Sequence, residues 1–211
     1  MIQYYLDGVD IGKQKSWVES YTGLFAALNR KEVDKMDYLG QHGYRFDRNA
    51  IRYKEREISI TLNFSATGAS LAGLIRDDVK EFVERFNHNR PVRLMRVDTC
   101  QNRTDVWDVD LITENSEQYF LGQAARITIT LHETAPVKAV YKCNANVANL
   151  EVDTPLTLMV SWGDGSFEKV KTETISHQYT DNICSHYIIV SGVMSDAQIT
   201  TNLPLICKTL C

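Results

Sequence analysis

The most regular stretch of the chain alternates with a period of two. Ile58, Ile60, Leu62 and Phe64 fall on one face, and Glu57, Ser59, Thr61 and Asn63 on the other. Successive side chains of a strand point to opposite faces, so this segment predicts a half-buried β-strand. From Ser70 the spacing changes to threes and fours: Leu71, Leu74, Ile75, Val79, Phe82, Val83 and Phe86 share one side, while Arg76, Asp77, Lys80, Glu81 and Glu84 fill the other. That pattern predicts an amphipathic helix lying across a sheet, ended by Asn87 and, further on, by Pro91. Strand patterns resume at 92–97, 106–111 and 125–131, and the opening residues 1–6 are β-prone and meet a turn-forming Asp7-Gly8 pair. The order strand, excursion, strand, helix and three strands favours a mainly β protein, an antiparallel sandwich or barrel with one flanking helix.

Residues 31–47 are charged and interrupted by Gly40 and Gly43, which reads as a long loop. Loops of this length usually serve function or assembly rather than a core. After Pro136 come short β-prone stretches, 156–162, 167–170 and 186–190, separated by Gly163-Asp164-Gly165, Thr180-Asp181-Asn182 and Gly192. Strands at such spacing predict a small second sandwich. Composition shifts at the same place: all twelve arginines lie at or before Arg126, whereas four of the five cysteines lie after residue 140. Two modules are therefore expected, 1–135 and 136–211, joined near Thr134-Ala135-Pro136.

With 211 residues, 44% of them hydrophobic, the chain can bury a sizeable core. A net charge of -4 disfavours a nucleic-acid binder that works by neutralising phosphates. No apolar run reaches the roughly 18 residues of a membrane-spanning helix. Residues 1–10 carry two carboxylates and no basic cluster, so they do not read as a signal peptide, and the chain is expected to fold inside a cell.

Candidate chemistry is sparse. Cys100, Cys143, Cys184, Cys207 and Cys211 form no C-x-x-C pair and read as free or structural thiols. Asp105, Asp108 and Asp110 surround Trp107, but alternation puts Asp108 and Asp110 on a solvated face with no calcium loop after them. His177, Cys184 and His186 lack a fourth ligand for zinc, and His42 beside Gly43 has no nucleophile in the sequence to serve. Dinucleotide, Walker, zinc-protease and nucleophile-elbow motifs are absent from the sequence. No catalytic residue, cofactor or metal is expected.

Several of these segments together resemble a known family. Residues 1–134 are similar to the amino-terminal region of phage distal-tail and tail-tube proteins. The likeness rests on Leu6-Asp7-Gly8-Val9-Asp10, on His42-Gly43-Tyr44-Arg45-Phe46-Asp47, on Tyr53-Lys54-Glu55-Arg56-Glu57-Ile58-Ser59-Ile60, on the single helix, and on the closing strand around Ile127 and Ile129. Residues 137–203 look like a small immunoglobulin-like domain of the polycystic-kidney-disease type, through Val160-Ser161-Trp162-Gly163-Asp164-Gly165, His177-Gln178-Tyr179 and His186-Tyr187-Ile188-Ile189-Val190. In that reading Trp162 fills a core, Asp164-Gly165 makes a hairpin turn, and the His-x-Tyr segment ending at Tyr179 leads into a strand, with Tyr187 in the β-prone stretch 186–190.

The resemblance implies a structural component of a phage or prophage tail, located in the virion. Its subunits would close into a ring, sixfold in the family, in contact with other tail proteins and with DNA only passing through the lumen. Loop 31–47 and the edge strands are the expected subunit contacts, with Arg45, Arg52 and Arg56 as interfacial ion-pair donors. The alternative is a glycan- or surface-binding module in which Trp162, Tyr179 and Tyr187 stack on a host-surface sugar. Neither reading involves a membrane.

Overall fold

The structure is a computed structural model that describes residues 1–14, 16–31, 42, 52–65, 72–120, 124–180, 185–194 and 197–209. In its amino-terminal half, seven strands form one antiparallel sheet: β1 (Ile2–Leu6), β2 (Val9–Asp10), β3 (Ser16–Thr22), β4 (Arg56–Ser65), β5 (Val92–Asp98), β6 (Arg103–Phe120) and β7 (Ala124–Glu133). Their spatial order is β2-β1-β5-β6-β7-β4-β3. Strand β4 is the alternating segment, and Ile58, Ile60, Leu62 and Phe64 are all buried. It pairs with β7 without a break from Arg56↔Glu133 to Ser65↔Ala124.

Strand β6 is shared between two arms of the sheet. Up to Val109 it pairs with β5, and from Asp110 onward it pairs with β7, with register shifts at Leu111/Thr113 and Asn115/Gln118. Bulges bend a strand and sharpen its twist, which is how a strand turns the corner of a sandwich. The two arms enclose one core, to which β4, β5, β6 and β7 each contribute. Helix α1 (Ala72–Glu84) covers it, with Phe82 edge-on to Phe64 at 5.8 Å and to Phe86 at 5.9 Å. The sheet curls far enough that its edges approach each other. The Tyr4 ring on β1 lies 6.2 Å from the Tyr21 ring on β3. A 3-10 turn, Ile11–Gln14, links β2 to β3, and Ser16 Oγ donates to the Ile11 carbonyl at 2.7 Å.

The carboxy-terminal half adds β8 (Lys138–Cys143), β9 (Val147–Asp153), β10 (Leu158–Ser161), β11 (Phe167–Val170), β12 (Glu173–Gln178), β13 (His186–Ser191), β14 (Gln198–Thr200) and β15 (Leu205–Lys208). Five of them form a sheet in the order β11-β10-β13-β8-β15, and three form another in the order β12-β9-β14. A second core that includes Leu150, Val152, Val160, Trp162, Ile188 and Val190 joins the two sheets.

The segment expected to link two modules is not a solvated linker. Pro136 and Val137 are buried, and β8 begins at the next residue as a central strand of its sheet. The excursion between β3 and β4 also joins the halves. It starts at Gly23, whose φ is +83° and at which a Cβ would sit 2.0 Å from the Glu57 carbonyl oxygen, followed by the fully buried Leu24. Its stem is a short ladder, with Lys31 N donating to Arg52 O and Lys54 N to Asn29 O, each at 2.8 Å. Leu28 and Tyr53 on this stem pack against the second core. The rest of the expected loop, Arg45 included, lies outside the described residues except for His42, which is exposed.

Candidate functional site

The distinctive chemistry of the molecule lies between its two cores. On β5, Arg93 is buried and fully engaged. Its Nε donates to Asp108 Oδ1 at 2.7 Å, its Nη2 to Asp108 Oδ2 at 3.0 Å and to Ser161 Oγ at 2.6 Å, and its Nη1 to the Tyr187 carbonyl. A planar guanidinium can serve a carboxylate bidentately and still direct a donor elsewhere. Beside it, Asp7 accepts from the Arg93 amide at 2.8 Å and from Arg90 Nη2 at 3.0 Å. Val106 packs with Val140 and Ile189, and Met95 and Tyr187 close on this small apolar cluster. Here β6 is covered on both faces, so Asp108 meets Arg93 rather than the solvent that simple alternation predicts. A cleft of about 340 Å³ opens here, lined among others by Tyr5, Arg90, Gly163, Ser185 and Tyr187.

A second polar group sits where β7 passes into β8. Lys138 is buried, and its Nζ donates to the Val106 carbonyl at 2.5 Å and to the Glu133 carboxylate. The same Nζ lies 5.7 Å from the centroid of the Trp107 ring. Glu133 is also 3.5 Å from Arg56 Nε, and Arg56 Nη1 donates to the Leu24 carbonyl at 2.9 Å. Burial pushes the Lys138 pKa down, and the adjacent Glu133 only partly opposes it.

In the second sandwich, Trp162 is only 1% exposed and stacks on the His177 imidazole at 4.8 Å. His177 Nε2 contacts Asp164 Oδ2 at 2.7 Å, and Asp164 Oδ1 accepts from the amide and hydroxyl of Ser166. Burial pushes Asp164 up, but the Ser166 hydrogen bonds and His177 outweigh it and bring its pKa down to about 2. Tyr179 is buried too: its hydroxyl donates to the Trp162 carbonyl at 2.9 Å, and its ring stacks on His186 at 3.7 Å. Tyr187 is half-buried, donating to Thr104 Oγ1 at 3.3 Å. Gly165 has a φ of +93° and lies against Arg90.

The residues singled out in the sequence thus scatter. Arg52 is exposed on the excursion stem, Arg56 makes its contacts within the chain, and Trp162 and Tyr179 offer no free ring to a sugar. Among the described residues no group of three or more His, Cys, Asp or Glu could hold a metal ion. Asp105 instead accepts from Arg96 at 3.2 Å and from Arg103 at 2.8 Å. Sequence reasoning missed Arg93, Lys138 and Glu133. The one signal available was charged residues inside or beside otherwise apolar strand patterns.

No family model and no curated protein matches the chain. Among solved structures, a chain in the phage P2 baseplate, in its activated conformation with Ca, matches with a TM-score of 0.50 at 11% identity, covering 97% of this chain and 95% of that one. The chain shares its fold with a phage baseplate protein. The Dit protein (gp 19.1) of phage SPP1, described as a paradigm of the hub adsorption apparatus in Gram-positive infecting phages, gives a TM-score of 0.49 at 12% identity over 90% of this chain and 98% of that one. The phage P2 baseplate with Sr gives 0.47 at 10% identity over 97% and 95%. The P2 likeness spans both cores, and it is a likeness of fold.

Proposed function

We propose that this chain is a structural subunit of a phage or prophage tail, of the distal-tail kind, which closes with identical copies into a ring. The observation that carries this reading is a fold shared with a phage baseplate protein from end to end, the amino-terminal sheet and the carboxy-terminal sandwich together. The sequence resemblance of residues 1–134 to distal-tail and tail-tube proteins points the same way. A ring of identical subunits needs two different, complementary surfaces on each copy. Loop 31–47, which carries Arg45, is one candidate surface, together with Arg52 just beyond it. The ring would be sixfold, as the family implies, joined to other tail proteins and open to DNA through its lumen. The carboxy-terminal sandwich, of the polycystic-kidney-disease type, would be a separate module, 136–211, carried on the ring.

The test is native mass spectrometry and negative-stain imaging of the purified chain, alone and with the tail proteins encoded beside it. A closed ring is expected, and removal of residues 32–40 should abolish it while leaving the β signal in circular dichroism unchanged. A strictly twofold dimer that persists with the tail partners present would overturn the reading.

A further inference from the structure

The excursion between β3 and β4 is anchored at two places. Its root belongs to the first half: Leu24 is fully buried in the first core, Arg56 Nη1 donates to the Leu24 carbonyl at 2.9 Å, and the Phe25 ring meets Trp107 edge-on at 5.7 Å. Beyond the root, the two legs of the stem run side by side. The Arg30↔Tyr53 bridge joins them, and the amides of Lys31 and Lys54 donate to the carbonyls of Arg52 and Asn29, each at 2.8 Å. Within residues 26–31 and 52–55 only Leu28 and Tyr53 are half-buried, and the others are exposed. Both of these side chains pack against the second core.

A two-stranded ladder by itself is marginal in water, because a few backbone hydrogen bonds do not offset the entropy lost in ordering both legs. The apolar support that this ladder needs comes from a core whose buried members all follow residue 136. The first half therefore holds the root, and the second half holds the stem.

We propose that the carboxy-terminal sandwich is a clamp on the excursion, so that the stem is ordered only while Leu28 and Tyr53 stay seated on the second core. The coupling runs both ways, since linked equilibria shift each other by the same factor. A partner that fixes the stem stabilises the sandwich, and a partner that draws the sandwich aside releases the stem. The clamp follows from the placement of these two side chains. Only its consequence for assembly rests on the reading of the excursion as a subunit contact: there the sandwich, beyond being carried on the ring, controls whether a copy can join it.

The experiment is amide hydrogen exchange of the full chain, followed by NMR at the two ladder donors, Lys31 and Lys54. Both should be protected in the native chain. The double variant Leu28→Ser, Tyr53→Ser should speed their exchange about tenfold, the scale of losing the apolar contacts of two half-buried side chains. Ile60 on β4 and Val190 on β13, one in each core, should keep their native protection. Asn29→Ser, at an exposed position on the same leg, should leave Lys31 and Lys54 unchanged. Where the double change also loosens Val190, Leu28→Ala alone gives the reading, with faster exchange again expected at Lys31 and Lys54. Unprotected Lys31 and Lys54 amides in the native chain, protection that survives the loss of Leu28 and Tyr53, or an equal acceleration by Asn29→Ser would each overturn the clamp. The ring is a separate result, because a monomer can pass this test and a ring can fail it.

Discussion

Arg93 grips Asp108 through two parallel hydrogen bonds, and the same guanidinium reaches across to the second sandwich at Ser161 and Tyr187. One side chain thereby belongs to both halves of the molecule. Buried ion pairs contribute little net stability when replaced whole, but breaking one leaves a charge without its counter-ion. The pair acts here chiefly as a constraint on orientation, because its donors fit only one placement of β13 against β5.

Replacing Arg93 with Met should therefore cost about 3–5 kcal/mol, since Asp108 and the Tyr187 carbonyl lose their donor. Urea unfolding followed by tryptophan emission should resolve into two transitions, one for each core. A single transition merely shifted to lower urea would mean that the halves cannot unfold apart.

Removing the largest side chain of the second core tests that core by itself. Trp162→Ala should cost about 3–5 kcal/mol, whereas Tyr179→Phe, which loses one hydrogen bond, should cost about 0.5–1.5 kcal/mol. The ranking is read from urea midpoints. Equal effects would mean that Trp162 is not the centre of the packing.

Ion pairs should differ by burial. Glu133→Gln leaves Arg56 and Lys138 facing each other without a carboxylate, and should cost about 3–5 kcal/mol. Arg126→Gln breaks the pair with Glu19, closed at 2.8 Å but open to solvent, and should change stability by less than about 1 kcal/mol. Thermal melts of the two variants side by side decide it.

Asp164 should make stability depend on acidity. Its carboxyl is held at about 2, below the ordinary 3.8, so the unfolded chain binds a proton more readily than the folded one. Its contribution is complete above roughly pH 4 and disappears as the pH falls through about 2. Urea midpoints recorded down this range should fall more steeply for the native chain than for Asp164→Asn.

Much of this fold was legible where burial on one face imposed a period. The alternation from Ile58 to Phe64 and the three-four spacing from Leu74 to Phe86 led directly to β4 and α1. Strand β3 was hidden because a register shift between Val18 and Ser20 breaks its alternation. The second half of β6 was hidden because the polar run Glu114-Asn115-Ser116-Glu117-Gln118 looks like a loop. The boundary site was unreadable for a deeper reason. Alternation assumes that the polar face of a strand meets water, and around Val106 and Asp108 it meets another sheet instead. Contacts between Leu28 and a core built after residue 137 are set by tertiary packing, which local pattern does not encode.

The glycine at position 23 bears on how relatives of this chain could be found. A methyl group there would fall 2.0 Å from the Glu57 carbonyl, an atom of the β4 backbone that cannot give way. In a saturation library across this turn, survivors should keep glycine at 23, while the exposed Ala26 and Ala27 just beyond it accept almost any residue. Where most of a surface has been rewritten, one position that admits a single amino acid is a fixed point for alignment. Searches anchored on that glycine and on the spacing from it to the Ile58–Phe64 strand should reach relatives that overall similarity no longer connects.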